Sequence, residues 1–162
     1  MEKKLIILSG VPGAGKSTIC EEMKKEYGED CVLSPDTIRE MCGAIVYDET
    51  GKPVCISQKL NKVVFEIYNK MLDVRMSTGA VTVLDATHVD ARSMSTAKTL
   101  AEKYGYSVEV HRLECSLETL LKRNTQRGYK NVPADVVRNM YQRFSNFVPA
   151  DWYTLVVHNT DN

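Results

Sequence analysis

The feature that most constrains this chain is the stretch Gly-Val-Pro-Gly-Ala-Gly-Lys-Ser at residues 10–17. It matches the complete pattern G-x-x-x-x-G-K-[ST] of a phosphate-binding loop. The apolar run Leu5–Leu8 before it predicts a buried parallel strand, and residues 17–25 after it predict an amphipathic helix. Glycines permit a tight turn whose N–H groups point at phosphate oxygens, and a helix N-terminus favours the same anion. The order strand, loop and helix therefore predicts a nucleotide site, against the alternative of a glycine-rich turn that binds nothing.

Length and composition narrow the class of protein. The 162 residues predict a single domain over 1–162. Lys plus Arg equal Asp plus Glu, 21 of each, so no overall basic field is available for nucleic acid and any such contact must be local. The five cysteines form no C-x-x-C pair, which indicates reduced thiols and a cytoplasmic location. No apolar run approaches the length of a membrane span, so no membrane partner is expected.

Along the chain, short apolar runs alternate with helical patterns. Further strands are predicted over 31–33, 80–84, 108–113 and 153–157, and further helices over 36–42, 57–78, 91–104, 117–123 and 133–144. Residues 43–56 contain Gly43, Gly51 and Pro53 and are predicted to be an exposed loop. The alternation predicts an α/β fold of the P-loop NTPase type, a three-layer sandwich with a central parallel sheet flanked by helices.

Three candidate residues follow strands at the carboxyl edge of this sheet, where α/β folds bind ligands. Asp36 could accept the proton of an attacking hydroxyl, or be a carboxylate that the helix dipole favours. Arg39 lies one turn further on the same face, and could hold an anionic acceptor or form an ordinary surface ion pair. Asp85 could orient Arg39, lie near Mg²⁺, or cap the next turn.

The type of nucleotide chemistry is narrowed by two patterns that the sequence lacks. No N-K-x-D guanine motif occurs, since residues 69–72 fail at the fourth position. The strand over 80–84 ends in Asp85-Ala86, so the usual Asp-Glu pair of ATPase motors is missing. The absence of both patterns favours a compact phosphotransferase. Such an enzyme needs positioning of its substrates, charge neutralisation and a base near the acceptor hydroxyl.

Basic residues crowd the stretch 122–143, whose one acidic residue is Asp135. They are Lys122, Arg123, Arg127, Lys130, Arg138 and Arg143. Charge runs are usually solvated faces. This one brackets a polar loop between two predicted helices, however, as does a small helical lid over about 122–135 that closes over ATP and presents arginines to the transferred phosphoryl group.

At these residues the sequence resembles the kinase domain of the phage-encoded 5′-hydroxyl polynucleotide kinases, within the P-loop phosphotransferases related to adenylate kinase. The similarity runs from about Lys4 to about Arg143. Its most specific parts are Leu-Lys-Arg-Asn-Thr-Gln-Arg-Gly at 121–128 and the helix at 132–141. Asp36-Thr-Ile-Arg39 fits the D-x-x-R of that family, and Asp85 fits its strand-end aspartate.

The resemblance implies transfer of the γ-phosphate of ATP, or of another NTP, to the 5′-OH end of DNA or RNA, as in nucleic-acid repair. Lys16 would serve the ATP phosphates and Ser17 would bind Mg²⁺. Asp36 would activate the 5′-OH, and Arg39, steered by Asp85, would bind the neighbouring phosphate. From the lid, Arg127 would contact the donor phosphates as a further catalytic residue, and Arg123 would help to hold the nucleotide. The full expected nucleotide site consists of Gly10, Val11, Pro12, Gly13, Ala14, Gly15, Lys16, Ser17, Thr18, Arg123 and Arg127.

Some features depart from the family or leave alternatives open. Ser34-Pro35 stands where the phage enzyme has polar or basic residues, and that enzyme's second domain, a 3′-phosphatase, has no counterpart, so end healing is expected to stop at phosphorylation. A kinase for a nucleoside, sugar or antibiotic remains an alternative, as does a nucleotide-dependent regulatory module without transfer. Trp152 and Tyr153 could belong to the core or to a surface where copies of the chain assemble.

Overall fold

A computed structural model of the chain describes residues 2–161, which form seven strands, six α-helices and two short 3-10 turns. The strands are β1 (Lys4–Ser9), β2 (Val32–Leu33), β3 (Ile45–Tyr47), β4 (Pro53–Ile56), β5 (Thr82–Leu84), β6 (Ser107–Glu114) and β7 (Thr154–Asn159). The helices are α1 (Lys16–Tyr27), α2 (Pro35–Met41), α3 (Asn61–Ser77), α4 (Ser95–Tyr104), α5 (Leu117–Asn124) and α6 (Ala134–Asn146). The 3-10 turns cover Arg92–Met94 and Gly128–Lys130.

Five of the strands form one parallel sheet in the order β2-β5-β1-β6-β7. Strand β1 lies at its centre, with Ile6 opposite Val83 of β5 on one side and Glu109 of β6 on the other. Its side chains Leu5–Leu8 are fully buried, as expected of a strand that has helices on both faces. The loop that follows β1 is therefore held at the middle of the sheet's carboxyl edge.

The two faces of the sheet carry separate apolar clusters, which makes three layers. One cluster joins the sheet to α2, α3 and α4, and α3 contributes a stripe spaced four residues apart, Val64, Tyr68, Leu72 and Met76. The other cluster joins the sheet to α1, α5 and α6, through residues such as Ile19, Leu120 and Phe144. The α/β P-loop NTPase architecture predicted from the sequence is confirmed. The rings of Trp152 and Tyr153 pack half-buried against the α3 and α4 side.

The prediction that residues 43–56 form a loop is wrong, because β3 and β4 pair there as an antiparallel hairpin. The Asp48 carboxylate accepts hydrogen bonds from the N–H groups of Thr50, at 2.8 Å, and Lys52, at 3.0 Å. Gly51 takes the left-handed backbone conformation, with φ of 81°, that completes the turn. The glycines and the proline therefore mark the hairpin turn and its flank rather than a structureless loop.

The predicted helix over 57–78 begins later than expected, at Asn61, because residues 57–60 serve to join the hairpin to α3. The hairpin is in turn attached to α2, since Ala44 N–H donates to the Arg39 carbonyl at 2.9 Å and Ser57 N–H donates to the Ala44 carbonyl at 2.7 Å. The hairpin, α2 and the start of α3 thus form one unit beside the sheet's carboxyl edge. Across residues 2–161, none of the helices has both the length and the apolar character that a membrane crossing requires.

Candidate active site

The start of the phosphate-binding loop is hydrogen-bonded to the segment that follows β5. Gly10 N–H donates to the Thr87 carbonyl at 2.9 Å, and the Ser9 hydroxyl donates to the His88 carbonyl at 2.7 Å. The buried His88 ring lies with Nδ1 2.7 Å from the Leu8 carbonyl, and burial lowers its pKa, which keeps the imidazole neutral. His88 also has a positive φ of 42°. These contacts could not be predicted from the sequence, because the contacting residues lie about 80 positions apart.

Two glycines give the loop a shape that other residues would strain. Gly13 and Gly15 have φ of 93° and 99°, in the left-handed region. A Cβ on Gly13 would also lie 3.1 Å from the Leu120 carbonyl of α5, so the loop rests directly on that helix. Helix α1 starts at Lys16 without a side-chain cap or an acidic residue in its first turn. Its N-terminal N–H groups and dipole therefore suit an anionic ligand.

Lys16 bends back over its own loop. Its Nζ donates to the Gly10 carbonyl at 2.7 Å and to the Val11 carbonyl at 3.2 Å. Burial lowers its pKa to about 8; nearby Asp85 opposes this shift and Arg127 adds to it. A negatively charged phosphate at this position would restore the ordinary affinity of the amine for its proton.

One cavity of about 860 Å³ extends from this loop to the hairpin. It brings together every residue predicted to be catalytic, namely Lys16, Asp36, Arg39, Asp85 and Arg127, and also Pro12, Gly13, Gly15, Ser17 and Arg123 of the predicted nucleotide site. Of the remaining predicted residues, Val11 and Ala14 are buried beneath the loop, and Gly10 is bonded to Thr87. Thr18 is exposed and lies outside the lining of this cavity.

Asp36 and Arg39 form an ion pair at the acceptor end of the cavity, the end that adjoins the hairpin. Arg39 Nη1 donates to Asp36 Oδ1 at 2.7 Å, and Nε donates to Asn61 Oδ1 at 3.0 Å. The arginine is 8% exposed and its guanidinium lies 5.6 Å from the centre of the Phe65 ring. Arg39 thus donates hydrogen bonds to Asp36 and Asn61, whereas Asp85 was expected to steer it. Asn61 was not recognised in the sequence.

Asp85 lies at the end of β5, close to the phosphate loop. Burial, together with the neighbouring Asp85 carboxylate, raises the pKa of the Cys20 thiol to about 12, so the thiol remains protonated and can donate to Asp85. The charge of Asp85 also favours the protonated form of Lys16. Ser17 and Asp85 together offer a hydroxyl and a carboxylate oxygen. This donor set fits Mg²⁺, which proteins typically bind through one or two oxygens while phosphates and water supply the rest.

The basic cluster separates into two groups. Arg123, Arg127 and Lys130 line the cavity. Arg123 donates to the Gly13 carbonyl at 3.3 Å and also to the Thr160 carbonyl. By contrast, Lys122 and Arg138 are exposed outside the cavity lining, and Arg143 forms an ion pair with Asp90. Half of the basic run is therefore a solvated face.

Arg127 lines the cavity close enough to Asp36 and Asp85 to interact with their charges. It is half-buried, and burial lowers its pKa while Asp36 and Asp85 act in the opposite direction. The positive charge of Arg127 also contributes to the lowered pKa of Lys16. Two cations and two carboxylates thus face the space between the phosphate loop and the acceptor end, an arrangement suited to a transferred phosphoryl group.

Asn124 holds in place residues 125–131, here called the Arg127 segment. Its side chain is 3% exposed, accepts a hydrogen bond from Val132 N–H at 3.1 Å and donates to the Val132 carbonyl at 2.7 Å. The two bonds draw together the ends of the connection between α5 and α6. In the sequence, Asn124 was only one position of the motif at 121–128, with no role of its own predicted.

Comparison with known proteins agrees with this architecture. The model of an AAA domain family, AAA_33, matches residues 5–147. The chain is 27% identical to L-seryl-tRNA(Sec) kinase of Methanococcus maripaludis over 144 residues, which are 86% of this chain and 52% of that protein. It is 25% identical to a candidate bifunctional polynucleotide kinase/RNA ligase of Autographa californica nuclear polyhedrosis virus, over 95% of this chain and 22% of that protein.

The chain therefore spans about half of the archaeal kinase and about a fifth of the viral protein. A crystal structure of a candidate kinase from Chloroflexus aurantiacus superposes with a TM-score of 0.72 at 15% identity, covering 98% of this chain and 88% of the other. That likeness shows the fold, and the relatives differ in the acceptors that their names state.

Proposed function

The chain belongs to the AAA_33 family and has the fold of a P-loop kinase, and from this premise we propose that it transfers the γ-phosphate of ATP to the 5′-hydroxyl end of a polynucleotide. Membership of this kinase family implies nucleotide binding. The chain as a single kinase domain over 1–162 and the segment over about 122–135 as its lid are parts of the same proposal.

The observation that carries the proposal is the Asp36–Arg39 pair, which lies in the same cavity as Lys16. The Asp36 side chain is 43% exposed, so its carboxylate is accessible to an incoming hydroxyl. Arg39 is held by Asp36 and Asn61 and lines the same cavity. An acceptor that carries a phosphate next to its hydroxyl would meet a base and an arginine three residues apart on one helix.

In the proposed mechanism, backbone N–H groups of residues 10–17 hold the donor phosphates and Lys16 swings from its own loop carbonyls onto them. Bound Mg²⁺, held by Ser17 with Asp85 nearby, would neutralise charge on the phosphates. Asp36 accepts the proton of the 5′-hydroxyl as its oxygen attacks the γ-phosphorus, and ADP leaves. Arg127 stabilises the negative charge on the transferred group.

Support for a polynucleotide acceptor comes from the D-x-x-R arrangement and from relatives whose names state an RNA or polynucleotide substrate. A different observation favours a small acceptor such as a sugar or nucleoside. The turn Gly128–Lys130 packs against β4, and residues of both elements line the acceptor end of the cavity, which leaves less space there for a polymer. The zero net charge of the chain also supplies no field that attracts a polyanion.

The test is a transfer assay with γ-labelled ATP and Mg²⁺. The acceptors are a 5′-OH DNA oligonucleotide, the matching RNA, a panel of nucleosides and sugars, and buffer alone. We expect label on an oligonucleotide 5′ end, and none with a 5′-phosphorylated oligonucleotide of the same sequence. Label confined to nucleosides or sugars would replace the polynucleotide proposal with the small-acceptor one.

A Lys16→Ala variant serves as the control for a contaminating kinase, since it should weaken productive ATP engagement. Transfer that is unchanged in this variant would contradict the assignment of the loop. Tight ATP binding without transfer to any acceptor would instead indicate a nucleotide-dependent regulatory module.

A further inference from the structure

Helix α2 carries a carboxylate that the mechanism does not use. Glu40 follows Arg39 directly, yet α2 contributes Pro35, Asp36, Thr37 and Arg39 to the cavity lining while Glu40 lies outside it. Its Oε1 accepts a hydrogen bond from the Tyr129 hydroxyl at 3.2 Å and lies 3.5 Å from Lys130 Nζ. Both partners belong to the turn Gly128–Lys130, and Tyr129 lies 89 positions further along the chain than Glu40.

That turn belongs to the Arg127 segment, since it begins directly after the arginine. The turn also packs against β4, and the hairpin is bonded through Ala44 to α2. Burial and the bond to Glu40 raise the pKa of the Tyr129 hydroxyl, so it remains a hydrogen-bond donor over the whole neutral range. The donor-side arginine and the acceptor-side helix are thus joined at one carboxylate.

We propose that Glu40 is a positioning residue that docks the Arg127 segment onto α2, so that Arg127 faces Asp36 and Asp85 across the cavity. Besides its packing against β4, the segment then has two side-chain anchors of different kinds. Asn124 is buried and bonds the segment's own backbone ends, so it is permanent in the folded chain. The Glu40 contact is half-exposed and joins two separate elements, so it can open to admit substrates and close over them.

Docking at α2 also gives the contact a specific consequence. Asp36 and Arg39 are on the same short helix as Glu40. Arg127 therefore reaches its position in the cavity only when Asp36 and Arg39 are in theirs. The proposal rests on the proposed function in taking Arg127 as the residue that contacts the transferred group. Its structural part, the docking, does not depend on which acceptor is phosphorylated.

The first test is hydrogen exchange at the backbone amides of residues 125–131. We expect faster exchange there in Glu40→Ala than in the wild-type chain, and wild-type exchange in the matched control Glu102→Ala, which removes an exposed carboxylate of α4. Exchange that is unchanged in Glu40→Ala overturns the docking. This measurement needs no turnover, so it stands even when the polynucleotide proposal fails.

The second test is a double-mutant cycle on transfer to whichever acceptor the wild-type chain phosphorylates. Glu40→Ala should lower kcat by about tenfold while the affinity for ATP changes little, because the phosphate loop is untouched. In an Arg127→Ala background the same change should have no further effect. Equal losses in both backgrounds would mean that Glu40 acts without Arg127 and would overturn the proposal. Tyr129→Phe should reproduce part of the loss.

Discussion

The two ends of the cavity are built in different ways. The donor end is made mostly from consecutive residues, 10–17, whose backbone shape is set by two left-handed glycines and by hydrogen bonds to the segment that follows β5. The acceptor end is assembled from α2, the β3–β4 hairpin, the start of α3 and the turn Gly128–Lys130, which are far apart in the sequence. A site built from one local segment can be inferred from its motif, whereas an assembled site depends on the whole fold.

The two ends also differ in charge. The donor end combines backbone N–H groups with Lys16 and Arg123 and is suited to anions in general. The acceptor end pairs Asp36 with Arg39, next to the apolar surface of Phe65. Donor binding and acceptor chemistry should therefore respond separately to substitution.

The largest effect is expected for Arg127, which stands between the two ends. Arg127→Ala should lower kcat by about 10³–10⁵, the range found for arginines that stabilise a transferred phosphoryl group. The matched control is Arg138→Ala, which removes an exposed arginine outside the cavity lining and should leave turnover unchanged. Steady-state kinetics of both variants measures this. Equal activity of the two variants would place Arg127 with the solvated part of the basic run.

The next effect is expected for Asp36 and separates the two ends most cleanly. Asp36→Ala should lower kcat by about 10²–10⁴ because the general base is lost, while the Kd for ATP stays near the wild-type value. Calorimetric titration with ATP and a transfer assay measure the two quantities on one preparation. Asp135→Ala, at the exposed start of α6, is the control. Wild-type turnover in Asp36→Ala would remove it as the base.

A smaller effect concerns the donor end alone and depends on pH. Below pH 8 the Lys16 amine is protonated in the free chain, whereas above pH 8 it loses its proton because burial has lowered its pKa to about 8. Bound phosphates favour the charged amine, so ATP binding above pH 8 should take up a proton and the affinity should fall, by at most about tenfold per pH unit. Titration at pH 8.5 in two buffers of different ionisation enthalpy detects the uptake. Lys16→Arg, which remains charged, should show none, and the same uptake in that variant would assign the proton elsewhere.

The smallest effect concerns the packing beneath the site. The Tyr68 hydroxyl is buried and has no hydrogen-bond partner among the described residues. Burial and the charge of Asp85 both raise its pKa. Tyr106 is also buried, but its hydroxyl donates to the Ala80 carbonyl at 2.8 Å. Tyr106→Phe should therefore lower the free energy of unfolding by about 1 kcal/mol, whereas Tyr68→Phe should leave it unchanged or raise it. Urea unfolding of the two variants measures the difference, and equal losses would show that Tyr68 has a partner.

Much of the fold follows from local sequence patterns. The phosphate loop, the parallel strands and the Ser116 cap of α5, whose hydroxyl accepts from Thr119 N–H at 3.3 Å, were all predictable because each depends on residues close in sequence. The hairpin was missed because glycine and proline were given more weight than the flanking run Ile45–Tyr47. Its turn is defined by bonds to the Asp48 side chain, which composition does not reveal.

The parts of the site that the sequence did not reveal are held by long-range contacts. Asn61 bonds Arg39 across 22 positions, His88 and Leu8 are 80 positions apart, and Glu40 meets Tyr129 across 89. His111 and His158, 47 positions apart, stack on neighbouring strands with ring nitrogens 2.9 Å apart. Such pairs are set by the order of the strands in the sheet and by helix packing, so no local sequence pattern predicts them.

The central claim is that Asp36 faces the terminal phosphoryl of a triphosphate held by residues 10–17. A crystal structure with a non-hydrolysable ATP analogue and Mg²⁺ tests it most directly. We expect the β- and γ-phosphates on the N–H groups of the loop and on Lys16, with a gap beside the Asp36 carboxylate that admits a hydroxyl oxygen about 3–3.5 Å from the γ-phosphorus. A triphosphate bound elsewhere, or an Asp36 side chain turned to bulk solvent with no such gap, would contradict it.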